Sequence, residues 1–120
     1  PLSVTTDRKA FSQILINLVQ NAIKFTDSGS IHIRLRPAVM PGRTGVFLEI
    51  EDTGIGIHID DQPLLFRPFS RVVAKGERGR EGVGLGLHLS RQLAEALGGS
   101  ISLSSTPGIG TLFTVEIPDR

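Results

Sequence analysis

Cysteine is absent from the 120 residues. That excludes disulfides, thiolate metal sites and a cysteine nucleophile, and it fits a reducing compartment. Charge of one sign is not in excess either. Thirteen Lys and Arg stand against twelve Asp and Glu, a formal net charge of +1, so no overall field steers the chain to nucleic acid or to a membrane surface. No apolar run approaches the roughly 20 residues that cross a bilayer, and no signal-like segment opens the chain. The first residue is Pro1 rather than Met. The expectation is therefore a piece of a longer protein, itself cytoplasmic, whose remainder could hold a membrane anchor.

What is present is the mix of an ordinary globule, 39 % hydrophobic and 21 % charged, and a length that suits one domain over residues 1–120. Asp7 reads as the N-cap of a helix to about Phe25, with Phe11, Leu15, Leu18, Ala22 and Phe25 at helical spacing. Thr26-Asp27-Ser28-Gly29 ends it. Ile31, Ile33 and Leu35 alternate with His32, Arg34 and Arg36, a strand with one buried face. Residues 37–45 hold two Pro and two Gly and read as a loop, followed by a strand over Val46–Glu51. Asp60–Phe69 suggests a short helix and an apolar loop, and residues 74–81 a polar segment too poor in apolar area to pack. Leu85, Leu89, Leu93 and Leu97 lie four apart on a last helix, closed by Gly98-Gly99. Two strands, Ser100–Ser105 and Thr111–Ile117, flank Pro107-Gly108-Ile109-Gly110. A further strand at Leu2–Thr5 would complete a two-layer α/β sandwich with helices on one face.

Asn17, Asn21 and Lys24 line one stripe of the first helix, within about 60° of one another, with Gln13 and Gln20 at its edge. Such a stripe is commonly just a solvent face. Here it is rich in amides, which cost a helix slightly more than Glu or Lys, and amide oxygens can ligate a hard cation. Asp52-Thr53-Gly54-Ile55-Gly56 follows a strand. It reads as a glycine turn or as a carboxylate at a pocket mouth, able only to accept hydrogen bonds, as from the exocyclic amine of adenine. Gly82-Val83-Gly84-Leu85-Gly86-Leu87 precedes the leucine helix. It reads as a linker or as an anion site built from bare backbone and a helix N-terminus. It lacks the Rossmann spacing and the P-loop Gly-Lys-Ser/Thr, and the Val-Ala-Ile-Lys and His-Arg-Asp elements of eukaryotic-type kinases are missing too. Gly108-Ile109-Gly110-Thr111 is on its own a turn. Phe66 and Phe69 read first as core, while Arg71 borders the polar segment and can reach a phosphate. His32, His58 and His88 have no metal-ligand spacing and read as surface residues.

In order, "QILINLVQNAIKFT", "DTGIGI", "LLFRPFSRV", "GVGLGLHLS" and "GIGT" resemble the N, G1, F, G2 and G3 boxes of the catalytic domain of histidine protein kinases, within the Bergerat-fold ATPases that also include gyrase and a heat-shock chaperone. The resemblance runs from about Asp7 to Ile117. It implies a mixed, mostly antiparallel five-stranded sheet on three helices, with an ATP lid at about residues 72–81. It implies ATP and Mg²⁺, with Asn21 on the metal, Asn17 and Lys24 near metal and phosphates, and Asp52 on the adenine amine. Gly54 and Gly56 would shape that pocket. Gly82, Gly84, Leu85 and Gly86 would face the phosphates, joined by Arg71, and Thr111 would reach adenine through water. Gyrase-like members carry Glu where Asn17 stands, and an amide cannot take a proton, which argues for transfer over hydrolysis. Departures are Val83 for a common Thr, His58 for Pro, Arg67 for Glu and Leu64 for Arg. The implied partners are a phosphoacceptor histidine on a separate dimerising hairpin, a response regulator and a second copy of the parent protein. None of the three histidines has that acceptor's sequence context, so the chain alone is not expected to phosphorylate itself. Other readings of the same pocket are a serine kinase of the anti-sigma type and an ATP sensor without turnover.

Overall fold

The computed structural model describes residues 4–67 and 83–119. Arg71, Gly82 and the lid expected at 72–81 lie outside them. The elements are α1 (Arg8–Lys24), β1 (Ile31–Met40), β2 (Arg43–Asp52), a 3-10 turn (Gln62–Leu64), α2 (Val83–Ala96), β3 (Ser100–Thr106) and β4 (Gly110–Pro118). The strands form one antiparallel sheet in the order β1-β2-β4-β3.

Helix α1 begins where its cap dictates. Asp7 Oδ1 accepts from the backbone N–H groups of Lys9 and Ala10 at 2.9 and 3.1 Å, filling two of the donors that a helix start leaves open. Its inner stripe is Ile14, Leu18, Ala22 and Phe25, all buried. These pack on Val46, Leu48 and Ile50 of β2 and Phe113, Val115 and Ile117 of β4. At the other end of the fold, α2 closes with Gly98 at φ +86°. Gly98 and Gly99 donate back to the Glu95 and Ala94 carbonyls, the double bond of a left-handed helix cap.

Five expectations are corrected. The described residues hold four strands and two α-helices, not five and three, and every strand pairing is antiparallel rather than mixed. Thr5 gives its N–H to the Asp119 carboxylate instead of to a strand, and Pro63 sits inside the single 3-10 turn where a third helix was expected. Residues 37–45 are not a loop. The ladder continues to Met40↔Arg43 around Pro41-Gly42, with Gly42 at φ +78°, and Pro37 is tolerated because β1 is an edge strand. Ile33 and Leu35 are half exposed, at 52 % and 50 %, since α1 packs over β2 and α2 over β3 and β4, leaving the edge uncovered. In α2 the buried stripe is Leu87, Ser90, Ala94 and Leu97, while Leu89 is 41 % exposed. A strict spacing of four drifts about 40° per step around a helix of 3.6 residues per turn, so a core stripe has to mix threes and fours.

The outer sheet face is polar. Glu49 takes hydrogen bonds from Arg34 and Arg36 at 3.3 and 2.9 Å, and the Arg36 bond, opposed by burial, holds its carboxyl below the ordinary value.

Candidate functional site

Two groups of the expected residues come together. The first surrounds Asp52, the last residue of β2, which is paired with Thr111 of β4. Both are buried, at 4 % and 5 % exposure. Asp52 Oδ1 accepts the Gly54 N–H at 2.9 Å. Burial raises its pKa, and the backbone N–H groups of Gly54 and Thr111 act against that rise. A methyl on Gly54 would strike the Phe25 carbonyl, one on Gly56 (φ +73°) the Thr106 carbonyl, and one on Gly110 (φ +148°) the Asp52 carbonyl. The two glycine stretches are also bonded directly, Gly108 N–H to Ile55 O at 2.7 Å. A cavity of about 250 Å³ at this end of the sheet is lined by Glu51, Thr53, Ser104, Thr106 and Leu112 of the outer face as well as by Asp52 and Thr111.

The second group joins the helices. Gln13 Nε2 donates to Asn17 Oδ1 at 2.8 Å, and Asn17 Nδ2 donates to Gly86 O at 3.3 Å. Asn17 and Gly86 line a second cavity of about 360 Å³ with His88, Leu89 and Gln92. The run Gly82–Leu87 is not a loop ahead of the helix as expected. Helix α2 starts at Val83, which puts Gly84, Leu85 and Gly86 in its first turn. A Cβ on Gly86 would meet nothing within 4 Å, so open space rather than packing lies before that backbone.

Helix α1 ties the two groups together. Its Asn17 meets α2, while its C-cap residue Phe25 accepts the Ile55 N–H at 3.0 Å, three residues beyond Asp52. Asn21 lies one turn from each. It is 6 % exposed, and its Oδ1 is buried without a hydrogen-bond partner. A buried amide oxygen left unpaired costs about 1–3 kcal/mol, and a ligand or cation would relieve that. Lys24 is exposed in the last turn. The described residues do not give Asp52 and Asn17 one continuous cavity, and they hold no group of three acidic or histidine side chains fit for a metal. The donor set for a cation is thus an amide oxygen, which suits a hard ion carried in with its own oxygen ligands.

Several residues at the site were not expected there. His88, read as a surface residue, is half-buried, with Nδ1 3.1 Å from Phe66 O. The Phe66 ring stands edge-on to Phe113 at 6.2 Å. Ser105 bonds both glycine turns. Its one sequence signal is a polar residue at an inward strand position, where Ile101 and Leu103 precede it.

Residues 6–120 match the family model described as histidine kinase-, DNA gyrase B-, and HSP90-like ATPase. Over 115 residues the chain is 44 % identical to an uncharacterized sensor-like histidine kinase of Rhizobium meliloti, covering 96 % of this chain and 21 % of that protein. It is 39 % identical over 120 residues to the sensor histidine kinase RcsC of Escherichia coli, covering 98 % and 12 %. Among solved structures, the mycobacterial sensor histidine kinase MprB superposes with a TM-score of 0.81 at 28 % identity, over 98 % of this chain and 77 % of that one. The chain thus spans only 21 % and 12 % of the length of these two curated relatives. No described helix is long and apolar enough to cross a membrane. On the match of its sequence and its fold alike, the chain belongs to the histidine kinase-, DNA gyrase B- and HSP90-like ATPase family, among relatives named as sensor histidine kinases.

Proposed function

We propose that this chain is the ATP-binding catalytic domain of a longer histidine protein kinase, and that in the parent it presents the γ-phosphoryl group of ATP to a histidine on a separate helical hairpin, for onward transfer to a response regulator. The observation that carries the reading is Asn21, whose buried amide oxygen has no partner and whose neighbours one turn away on α1, Asn17 and Phe25, bond to Gly86 and Ile55. Bound Mg²⁺–ATP would supply the phosphoryl group and the cation that neutralises its charge. The chain's own part is positioning. Asp52 accepts from the exocyclic amine of adenine, and Gly54 and Gly56 keep side chains out of its way. Asn21 Oδ1 faces the cation. Lys24 and the first turn of α2, with Gly84, Leu85 and Gly86, face the phosphates through charge and backbone N–H groups. Arg71 and Gly82 complete that set in the proposal, and Thr111 stands beside Asp52. Asn17, tied to Gln13 and Gly86 O, holds the helices together and has no proton-accepting group to activate water, which favours transfer over hydrolysis.

Titration calorimetry with ATP, with and without Mg²⁺, tests this. The wild type should bind more tightly with Mg²⁺, and Asn21→Ala should lose that Mg²⁺ dependence while keeping its fold by circular dichroism. A folded Asn21→Ala protein with the wild-type Mg²⁺ dependence would remove the assignment.

A further inference from the structure

Ser105 uses its hydroxyl in three contacts. Its Oγ is 2.8 Å from the Ile57 N–H, 2.9 Å from Gly110 O and 2.8 Å from Thr111 Oγ1. A serine hydroxyl has one proton and two lone pairs. The Ile57 amide can only donate, so it takes one lone pair. The Gly110 carbonyl can only accept, so it takes the proton. One lone pair is left for Thr111, and all three contacts are hydrogen bonds only when Thr111 gives its own proton to Ser105.

The consequence falls on Thr111. With its proton committed, its oxygen can only accept from a group that comes to lie beside Asp52, its partner across the ladder. We propose that Ser105 is a specificity-positioning residue, which turns Thr111 into a fixed acceptor beside the Asp52 carboxylate so that the Asp52 end of the site admits a donor-bearing base edge and repels a carbonyl. This rests on the adenine reading above and deepens it. Discrimination would come from two oxygens rather than one, and the second is set by a residue that need not touch the nucleotide. Without Ser105 the Thr111 hydroxyl is free to rotate and can donate to a base carbonyl.

The test compares ATP with inosine triphosphate, which carries a carbonyl where adenine has its amine. Both are titrated with Mg²⁺ into the wild type, Ser105→Ala, Ser105→Thr, Thr111→Val and the Ser105→Ala/Thr111→Val double variant. The wild type should prefer ATP by about 100-fold, the loss expected when a buried charged acceptor is left without its donor. Ser105→Ala should lose about tenfold of that preference, the worth of roughly one hydrogen bond, chiefly by gaining inosine triphosphate affinity. Ser105→Thr, which keeps the hydroxyl, should restore it. The double variant should match Thr111→Val, because Ser105 acts only through Thr111. An unchanged ATP preference in folded Ser105→Ala overturns the proposal. Should that variant not fold, an unchanged preference in Thr111→Val overturns it instead. A wild type that binds neither nucleotide defeats the functional reading itself, a separable outcome.

Discussion

A carboxyl group taken out of water resists ionisation, and Asp52 is such a group. Burial raises its pKa above the ordinary 3.8, with the Gly54 and Thr111 N–H groups opposing. The sign of the stability effect follows. A folded-state pKa above the unfolded one gives a contribution that is present below pH 3.8 and lost as pH rises through the folded value. At neutral pH the ionised Asp52 therefore burdens the ligand-free fold. Asparagine keeps the acceptor for Gly54 and removes the charge. Asp52→Asn should melt at or above the wild-type temperature at pH 7, with the difference shrinking toward acid pH. Its ATP affinity should fall about 10- to 100-fold, the loss expected for a hydrogen bond to a charged group. A variant that melts lower at pH 7 yet binds ATP normally would contradict both halves. Stability given up at one residue is then a sign of the site.

Glycines separate into two kinds once the elements around them are seen. Gly54 lies where the turn after β2 passes under the end of α1, and an added methyl would strike the Phe25 carbonyl. Gly86 lies in the first turn of α2 before open space. Gly54→Ala should lose about 1–3 kcal/mol through overpacking. Gly86→Ala should gain about 0.5–1 kcal/mol, the usual difference between these residues inside a helix. Denaturant melts of the two variants check the signs, and equal losses would refute the distinction. If the first turn of α2 receives phosphate, Gly86→Ala should also weaken ATP binding by roughly tenfold, because a methyl holds the anion off the backbone. The sequence pattern alone could not sort these glycines. It carried α1 almost to the residue, because Asp7 is a strong cap and the apolar spacing is regular. It placed Asp52 at a strand end and Thr111 at the next turn, and the sheet register then paired them. It failed where tertiary context decides. Pro37 looked like a loop residue because nothing local says that β1 is an edge strand, and Gly45 because nothing local says that β4 passes so close to its Cα. Ile33 looked buried because nothing local says which strands a helix covers. The glycine run before Leu87 looked like a loop because glycine lowers helix propensity, yet α2 begins within it. Ser105 stayed hidden because its three partners come from two stretches of chain, Ile57 after β2 and Gly110-Thr111 at the start of β4.

At the scale of the whole molecule, the proposed ligand would join two groups of residues that α1 already links. The helices meet at their site ends through Asn17 and Gly86 O at 3.3 Å, a long hydrogen bond, and the Asp52 group is built on the far end of α1 and the sheet. A ligand that touches both groups binds only when both are in place, so it stabilises the folded chain as a unit. At a free concentration of 100 times Kd, that linkage is worth about 2.7 kcal/mol, which for a chain of this size corresponds to roughly 10 °C in melting temperature. ATP with Mg²⁺ should therefore raise the Tm by about that much, and GTP should raise it far less. A chelator should remove most of the ATP effect, because the only group offered to the cation among the expected residues is the amide oxygen of Asn21. Asp52→Asn and Asn21→Ala should each flatten the response, although one lies at the sheet end and the other on α1. Parallel shifts with ATP and GTP would mean that the Asp52 end takes no part in binding. A full shift in Asn21→Ala would mean that α1 serves only as scaffold. A response that needs both residues is what a single ligand spanning the two groups requires, and separate ligands at the two groups would instead let each variant keep half of it.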